Sequence, residues 1–505
     1  MTAGAGDLAG PTAAEPAVAG GRHQAIWAWP IALSALLAVA LQGFHPVHPD
    51  VGWLLVLAGR FLDGARLYVD VAEMNPPMSI YLYVPIVALQ RLTGLTAPWA
   101  VLASVLAATA VSLALAGAVL RSWRPATAPL ALAALAGGGL LVLPFATFGQ
   151  REHFALLAIL PLLVAMAARA ENRGPALPAA VAIGLCAGLG VAVKPHFALP
   201  VALPALVAAR SARSWKPLFA PEAIVAGFTA IAYAIHVQVS YPAFIDVWMP
   251  ILADTYRPSR APVLERLTDP GTLALLLSSV PVLVALVRRT APSLALTLAV
   301  AGLAFWLAAF EQGKLWNNHF APALLPMMAA GLLACERLDR AARVAGLVAA
   351  LGGVWLGISV LTIRGADTTA FADTIRREAP PHPRVHVITP SIAAAHPLTE
   401  MVGGVWTNSL HGNWLWQFAD HRLRTADPDA PTAERLRRYK DEDRIRFRED
   451  LTRADADVIL IDRAHEDWLA WALEDPEVAT VLARPREGEE PAGVELCLPL
   501  RAAAP

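Results

Sequence analysis

The chain of 505 residues is 56% hydrophobic and only 16% charged, where soluble domains carry roughly 25% charged residues. Its apolar runs recur from about residue 25 to about 363 and are continuous rather than alternating. That pattern argues for membrane helices and against a soluble enzyme, a nucleic-acid binder or a membrane barrel. The net charge of −1 averages a basic membrane part and an acidic tail: 25 of the 41 acids, but 17 of the 40 bases, follow residue 364.

Residues 1–22 read as a disordered leader rich in Ala, Gly and Pro, with no cleavable signal pattern. Candidate spans then fall near 25–43, 78–93, 97–120, 126–147, 152–169, 176–193, 195–210, 219–240, 271–288, 292–310, 319–335 and 341–363. Short basic loops, such as Arg121 with Arg124 and Arg169 with Arg173, mark one side as cytoplasmic. The segment 78–93 breaks the alternation of loops. It is short, contains Pro85, and reads as re-entrant or strongly tilted. The expectation is an all-α polytopic membrane domain over 23–364, with about 11–13 membrane helices. Cys186, Cys335 and Cys497 are widely spaced and predict neither a disulfide framework nor a zinc site.

The first outer loop, 44–77, carries the most chemistry. His45-Pro-Val-His48-Pro-Asp50-Val-Gly-Trp53 places an acid where the first span emerges into water. A carboxylate held against an apolar wall is a stronger base than one in water, so Asp50 is the candidate catalytic base. The run Val51–Leu62 predicts a short interfacial helix ended by a turn at Asp63-Gly64. Asp70 and Glu73 precede Asn75-Pro76-Pro77; with Asp50 they form a candidate hard-oxygen site for a divalent cation, or they cap the next helix.

Farther along, polar residues interrupt apolar sequence, where they are expensive to place. Arg151, Glu152 and His153 stand together between two spans, and the guanidinium fork of Arg151 suits a lipid-carrier phosphate. Lys194 and His196 break a long apolar stretch, and Arg257 lies in the longest outer loop of the membrane part. Lys314, Asn317 and His319 flank Trp316, an amide–aromatic mixture suited to sugar. Each has an ordinary alternative: snorkelling for Arg151 and Lys194, a hydrophilic loop for Arg257, interface anchoring for Trp316.

After 365 the material changes. Arg384–Thr389 and Asp457–Asp462 read as strands, Phe371–Arg377 as a helix, and 427–453 as a solvated helix or loop. A soluble α/β domain over 365–505 is predicted, and its stretch Trp406–Trp416, rich in aromatics and amides, either docks glycan or, the favoured reading, packs the tail onto the membrane part.

An acid after the first span, the phrase Asp63-Gly64…Leu67-Tyr68…Asp70…Glu73…Pro76-Pro77, and a Lys314…His319 element before a late span resemble the GT-C superfamily of membrane glycosyltransferases, such as the lipid A aminoarabinose transferases and protein O-mannosyltransferases. The resemblance spans about residues 25–335. Val51 follows Asp50 where members of the superfamily commonly carry a second acid. The resemblance implies an inverting transfer of a hexose or pentose from a polyprenyl-phosphate donor to a lipid, glycan or protein acceptor. The site and the tail would face the periplasmic or extracellular side of a bacterial cytoplasmic membrane. It casts Asp50 as base, Arg151, Lys194, Arg257 and Lys314 as donor-phosphate ligands, and Asp70, Glu73, Glu152, His153, His196, Asn317 and His319 as substrate contacts. The rival readings are a flippase for a lipid-linked sugar and a non-catalytic partner in envelope assembly; no paired repeat supports the first.

Overall fold

A computed structural model describes residues 19–137, 147–361, 370–463, 467–483, 486–489 and 494–499. Most of the leader, the end of the 126–147 span and the 364/365 domain junction lie outside these residues. Seven helices are long and apolar enough to cross a membrane: Ala97–Trp123, Arg151–Ala170, Pro221–Ser240, Pro270–Val287, Ser293–Gln312, Asn317–Cys335 and Arg340–Val360. Trp29–Gln42 and Leu177–Val193 are shorter apolar helices beside them. The protein is a multi-pass membrane protein.

The segment 78–93 forms two short helices, Met78–Tyr81 and Val84–Thr93. Ten residues rise about 15 Å, half of a hydrocarbon core of about 30 Å. Neither helix alone is long enough to cross it.

Arg151–Ala170 and Asn317–Cys335 are buried along almost their whole length and form the centre of the bundle. Pro221–Ser240 lies at its edge, turning Ile224, Phe228, Ile231, Ile235 and Val239 outward in a helical stripe. Such a stripe belongs against lipid. Its inner side meets Leu177–Val193 through Gly184 and Gly188. A Cβ on Gly184 would stand 2.7 Å from the Glu222 carbonyl oxygen, and one on Gly188 2.8 Å from that of Ala226. Glycines four apart let two membrane helices approach this closely. At the end of the contact Arg169 donates to both oxygens of the buried Glu222, at 2.8 and 3.1 Å.

The tail builds a five-stranded sheet from β1 (Arg384–Ile388), β2 (Val405–Trp406), β3 (Val458–Asp462), β4 (Arg486–Glu489) and β5 (Val494–Pro499), in the order β2-β1-β3-β5-β4. β1 pairs in parallel with β2 and β3, and β5 runs antiparallel to β3 and β4. Helices cover it, so the expected α/β domain is present.

Two expectations change. The apolar face of the helix Pro49–Leu62 is covered by protein rather than left for lipid: Val51, Trp53, Leu54, Leu57 and Ala58 are buried in one apolar core with Val385, Leu398, Trp406 and Trp414 of the tail. Its end is as read, with Gly64 at φ 92° taking the turn. The charged 427–453 segment is a helix, Ala430–Ala454, solvated on one face and packed on the other. Leu436, Tyr439, Phe447 and Leu451 are buried, and its charges are largely committed to neighbours.

Candidate active site

Asp50 occupies the first turn of the Pro49–Leu62 helix. His48 caps that helix, its Nδ1 accepting from the Asp50 N–H at 3.2 Å, and lies 3.9 Å from the Asp50 carboxylate. The Asp50 side chain remains about a quarter exposed, so it can meet a substrate. On the same helix Trp53 holds Glu73, and Glu73 lies 3.5 Å from Arg151, so the helix that carries Asp50 leads into a buried cluster of charge.

That cluster is built from helix ends. Arg151 and Glu152 open the Arg151–Ala170 helix, Lys194 closes Leu177–Val193, and His319 lies in the first turn of Asn317–Cys335. Lys194 Nζ lies 2.7 Å from Glu152 Oε1, 3.3 Å from Gln312 Oε1 and 3.4 Å from His319 Nε2. Arg151 lies 3.3 Å from Glu152 and 3.5 Å from Glu73. Glu73 accepts from Trp53 Nε1 at 2.7 Å and from Asn75 Nδ2 at 2.5 Å. Arg151, Glu152, Lys194, His319 and Glu73 are each no more than 6% exposed. Two carboxylates, Glu73 and Glu152, stand against two basic groups, Arg151 and Lys194, which makes this burial tolerable. Glu152 Oε2 and His319 Nδ1 have no hydrogen-bond partner among the described residues. Buried polar atoms left open in this way mark a place for water or a ligand.

Aromatic rings continue the contacts. His319 lies 5.4 Å from Trp316, Trp316 6.1 Å from Tyr256, and Tyr256 5.7 Å from Phe418 of the tail. Phe418 meets Trp414 at 6.2 Å, Trp414 stacks on His411 at 5.8 Å, and His411 meets Trp53 at 5.8 Å. Trp53 holds Glu73, so the chain of contacts closes on itself: an ionic arc in the membrane part and an aromatic arc shared by the membrane part and the tail. Burial raises the Tyr256 phenol, which also senses Arg151 and Asp50. Burial brings the His411 imidazole down to about 3, so it is neutral at physiological pH.

Several residues singled out in the sequence go elsewhere. Asp70 is gripped by Arg66, through the side chain at 2.7 Å and the backbone N–H at 2.8 Å, which lowers its carboxyl to about 2. Asp70 thus braces its own loop, while Glu73 is spent on Trp53, Asn75 and Arg151. Asp50, Asp70 and Glu73 do not converge, and among the described residues no three His, Cys, Asp or Glu side chains gather as a metal site. The expected cation site is corrected accordingly. Arg257 is 73% exposed and 3.9 Å from Glu311, out on the surface. Lys314 donates to the carbonyls of Tyr256 and Ser259 and lies 4.0 Å above the Tyr256 ring. It therefore fixes the Tyr256 loop; burial, with Arg260 nearby, brings its ammonium down to about 8. His153 accepts from the Gly149 N–H at 3.2 Å and packs on Phe148. His196 lies 3.1 Å from Gln312 Nε2, one step behind Lys194. Asn317 starts the His319 helix at its half-buried edge. Trp53, Tyr256 and Gln312 were not foreseen in the site, and His411 was flagged only as part of the Trp406–Trp416 stretch. The outward sign was an aromatic or amide beside each polar break, which interface anchoring also produces.

The fold is a bundle of membrane-length helices with a buried cluster of acidic and cationic residues, packed against an α/β domain. No family model and no curated protein matches the chain. Among solved structures it is similar to ArnT from Cupriavidus metallidurans in the apo state, at 14% identity and TM-score 0.59, covering 95% of this chain and 98% of that one. ArnT from the same organism bound to undecaprenyl phosphate matches at 14% identity and TM-score 0.59, over 96% and 100%. The likeness runs the length of both chains, tail included, and establishes the fold.

Proposed function

We propose that this chain is a glycosyltransferase that moves a sugar from a polyprenyl-phosphate donor to a lipid, glycan or protein acceptor at the outer face of a bacterial cytoplasmic membrane. The observation that carries the reading is the buried Arg151–Glu152–Lys194–His319 cluster, joined through Glu73 and Trp53 to the helix that carries an accessible Asp50. A structure of the same fold binds undecaprenyl phosphate, which supports a carrier of that kind.

The chemistry follows from charge. Asp50 takes the proton of an acceptor hydroxyl while that oxygen attacks the anomeric carbon. The bond from that carbon to the phosphate oxygen breaks, and the polyprenyl phosphate leaves with the electron pair. Attack opposite the leaving group inverts the carbon. Lys194 and Arg151 stabilise the negative charge that grows on the departing phosphate, in a site shielded from water. Glu152 keeps both cations protonated and in place until the phosphate arrives. No step is routed through a cation, because its expected ligands stand apart.

Asp50→Asn removes the base and keeps the shape. With a radiolabelled panel of polyprenyl-phosphate sugars and membrane acceptors, transfer by the variant is expected to fall by about 10²–10⁴-fold, with donor binding retained. Equal transfer by variant and wild type would move the base elsewhere. A wild type that carries donor across liposomes but transfers nothing is a flippase, and the reading fails.

A further inference from the structure

We infer that the tail supplies the sugar-selecting half of the site, through the ring faces and open polar atoms of His411 and Trp414; this deepens the glycosyltransferase reading and rests on it. The membrane side of the contact circuit is ionic and suits a phosphate. Its rings, Trp316 and Tyr256, reach the tail through Phe418, and the tail side adds rings with open polar atoms beside them. His411 and Trp414 are stacked at an interplanar angle of 12°, and Trp53 sets its edge against His411.

Two further observations point to a ligand here. Trp414 Nε1 and His411 Nδ1 are buried with no hydrogen-bond partner among the described residues, although Trp414 is 2% and His411 5% exposed. A buried indole N–H without an acceptor costs about 1–3 kcal/mol, and such groups normally have partners. The Asn413 amide oxygen between them is open in the same way. One N–H donor, one amide acceptor and a neutral imidazole, set among ring faces, match the hydroxyls and C–H face of a pyranose or furanose. A phosphate needs none of these, and an acyl chain leaves all three unsatisfied. His411 lies 5.8 Å from Trp53, whose Nε1 holds Glu73 3.5 Å from Arg151, which joins these groups to the phosphate-binding side.

The test separates sugar from carrier. Full-length protein in nanodiscs is titrated with undecaprenyl phosphate and, separately, with undecaprenyl phosphate carrying glucose, mannose, galactose or arabinose. Wild type is compared with Trp414→Phe, which keeps the ring and removes the N–H, and with His411→Phe. The expected result is that at least one sugar-bearing carrier binds wild type more tightly than the bare carrier. Each variant then loses about tenfold for that ligand, the worth of one hydrogen bond of about 1.4 kcal/mol, and nothing for the bare carrier. Equal losses for both ligands would make the two residues structural, and no loss for either would leave the tail outside the sugar pocket; each overturns this inference alone. A wild type that binds the bare carrier but prefers no sugar also overturns it. A wild type that binds neither carrier overturns the glycosyltransferase reading with it. Thermal melting of each variant confirms that it folds, and the two substitutions on neighbouring rings guard against one of them failing to do so.

Discussion

At the scale of residues, the buried pair Lys194–Glu152 has two separable jobs. Removing one partner of a buried ion pair leaves the other charge without an answer and costs about 3–5 kcal/mol, while neutralising both is close to neutral. Lys194→Met and Glu152→Gln are therefore each expected to lower the melting temperature clearly, and the double variant to recover most of the loss. Binding of undecaprenyl phosphate, which needs the cation, should stay lost in Lys194→Met and in the double variant alike. A double variant that recovers binding together with stability would reduce the pair to scaffolding. Arg151, Glu152, Lys194 and His319 were legible in the sequence because polar groups in apolar runs are costly and need a reason. Asp70, Arg257 and Lys314 sit in loops, where a charge costs little and its partner is set by tertiary contact. Arg66, Glu311 and the Tyr256 and Ser259 carbonyls answer them, and nothing in local sequence distinguishes these from substrate ligands.

At the scale of elements, the Ala430–Ala454 helix acts as a strap. Arg435 reaches across to Asp254 of the membrane part at 2.7 Å, Lys440 to Asp420 at 2.5 Å, and Asp450 to the Ser409 N–H at 2.6 Å. Asp443 accepts from the N–H of Trp416, in the first turn of the Trp414–Thr425 helix, and so caps that helix from outside. This strap read as a solvated segment because its charges are dense. Only the fold shows that they lie over partners, with Leu436, Phe447 and Leu451 beneath. Burial pushes the Asp443 carboxyl up to about 6, against the opposing pull of Arg446 at 3.7 Å and the Trp416 N–H. The folded chain thus holds this proton more tightly than the unfolded chain. The stabilisation is complete below the ordinary carboxyl range near 4 and is lost as pH rises through about 6. Asp443→Asn keeps an acceptor for Trp416 without the charge. It is expected to raise stability at pH 8 by on the order of 2–3 kcal/mol relative to its effect at pH 4. Melting curves across that range check this; a constant offset at every pH would show that the carboxylate is already satisfied.

At the scale of the whole molecule, the question is whether the tail is a separate domain or part of one folding unit with the bundle. Hydropathy predicted a break near 364, and composition does change there. Packing ignores that break. Trp53, from the first outer loop, is 1% exposed and lies 5.7 Å from His396, 5.9 Å from Trp406 and 5.8 Å from His411, while its Nε1 holds Glu73. One side chain therefore ties the tail to the charge cluster. Its tail partners His396, Trp406 and His411 are more than 340 positions away in sequence, too far for any periodicity to register. Trp53→Ala removes the ring contacts and takes a donor from buried Glu73, at a cost of about 3–5 kcal/mol. If that ring joins the two parts into one cooperative unit, hydrogen exchange in wild type opens β1 and β3 together with the Arg151–Ala170 helix. In Trp53→Ala the strands are then expected to open at lower free energy than the helix, the two parts coming apart as separate units. Strands that keep their protection in the variant would mean that the strap, through Arg435 and Asp254, couples tail to bundle and that Trp53 serves only the site beneath it.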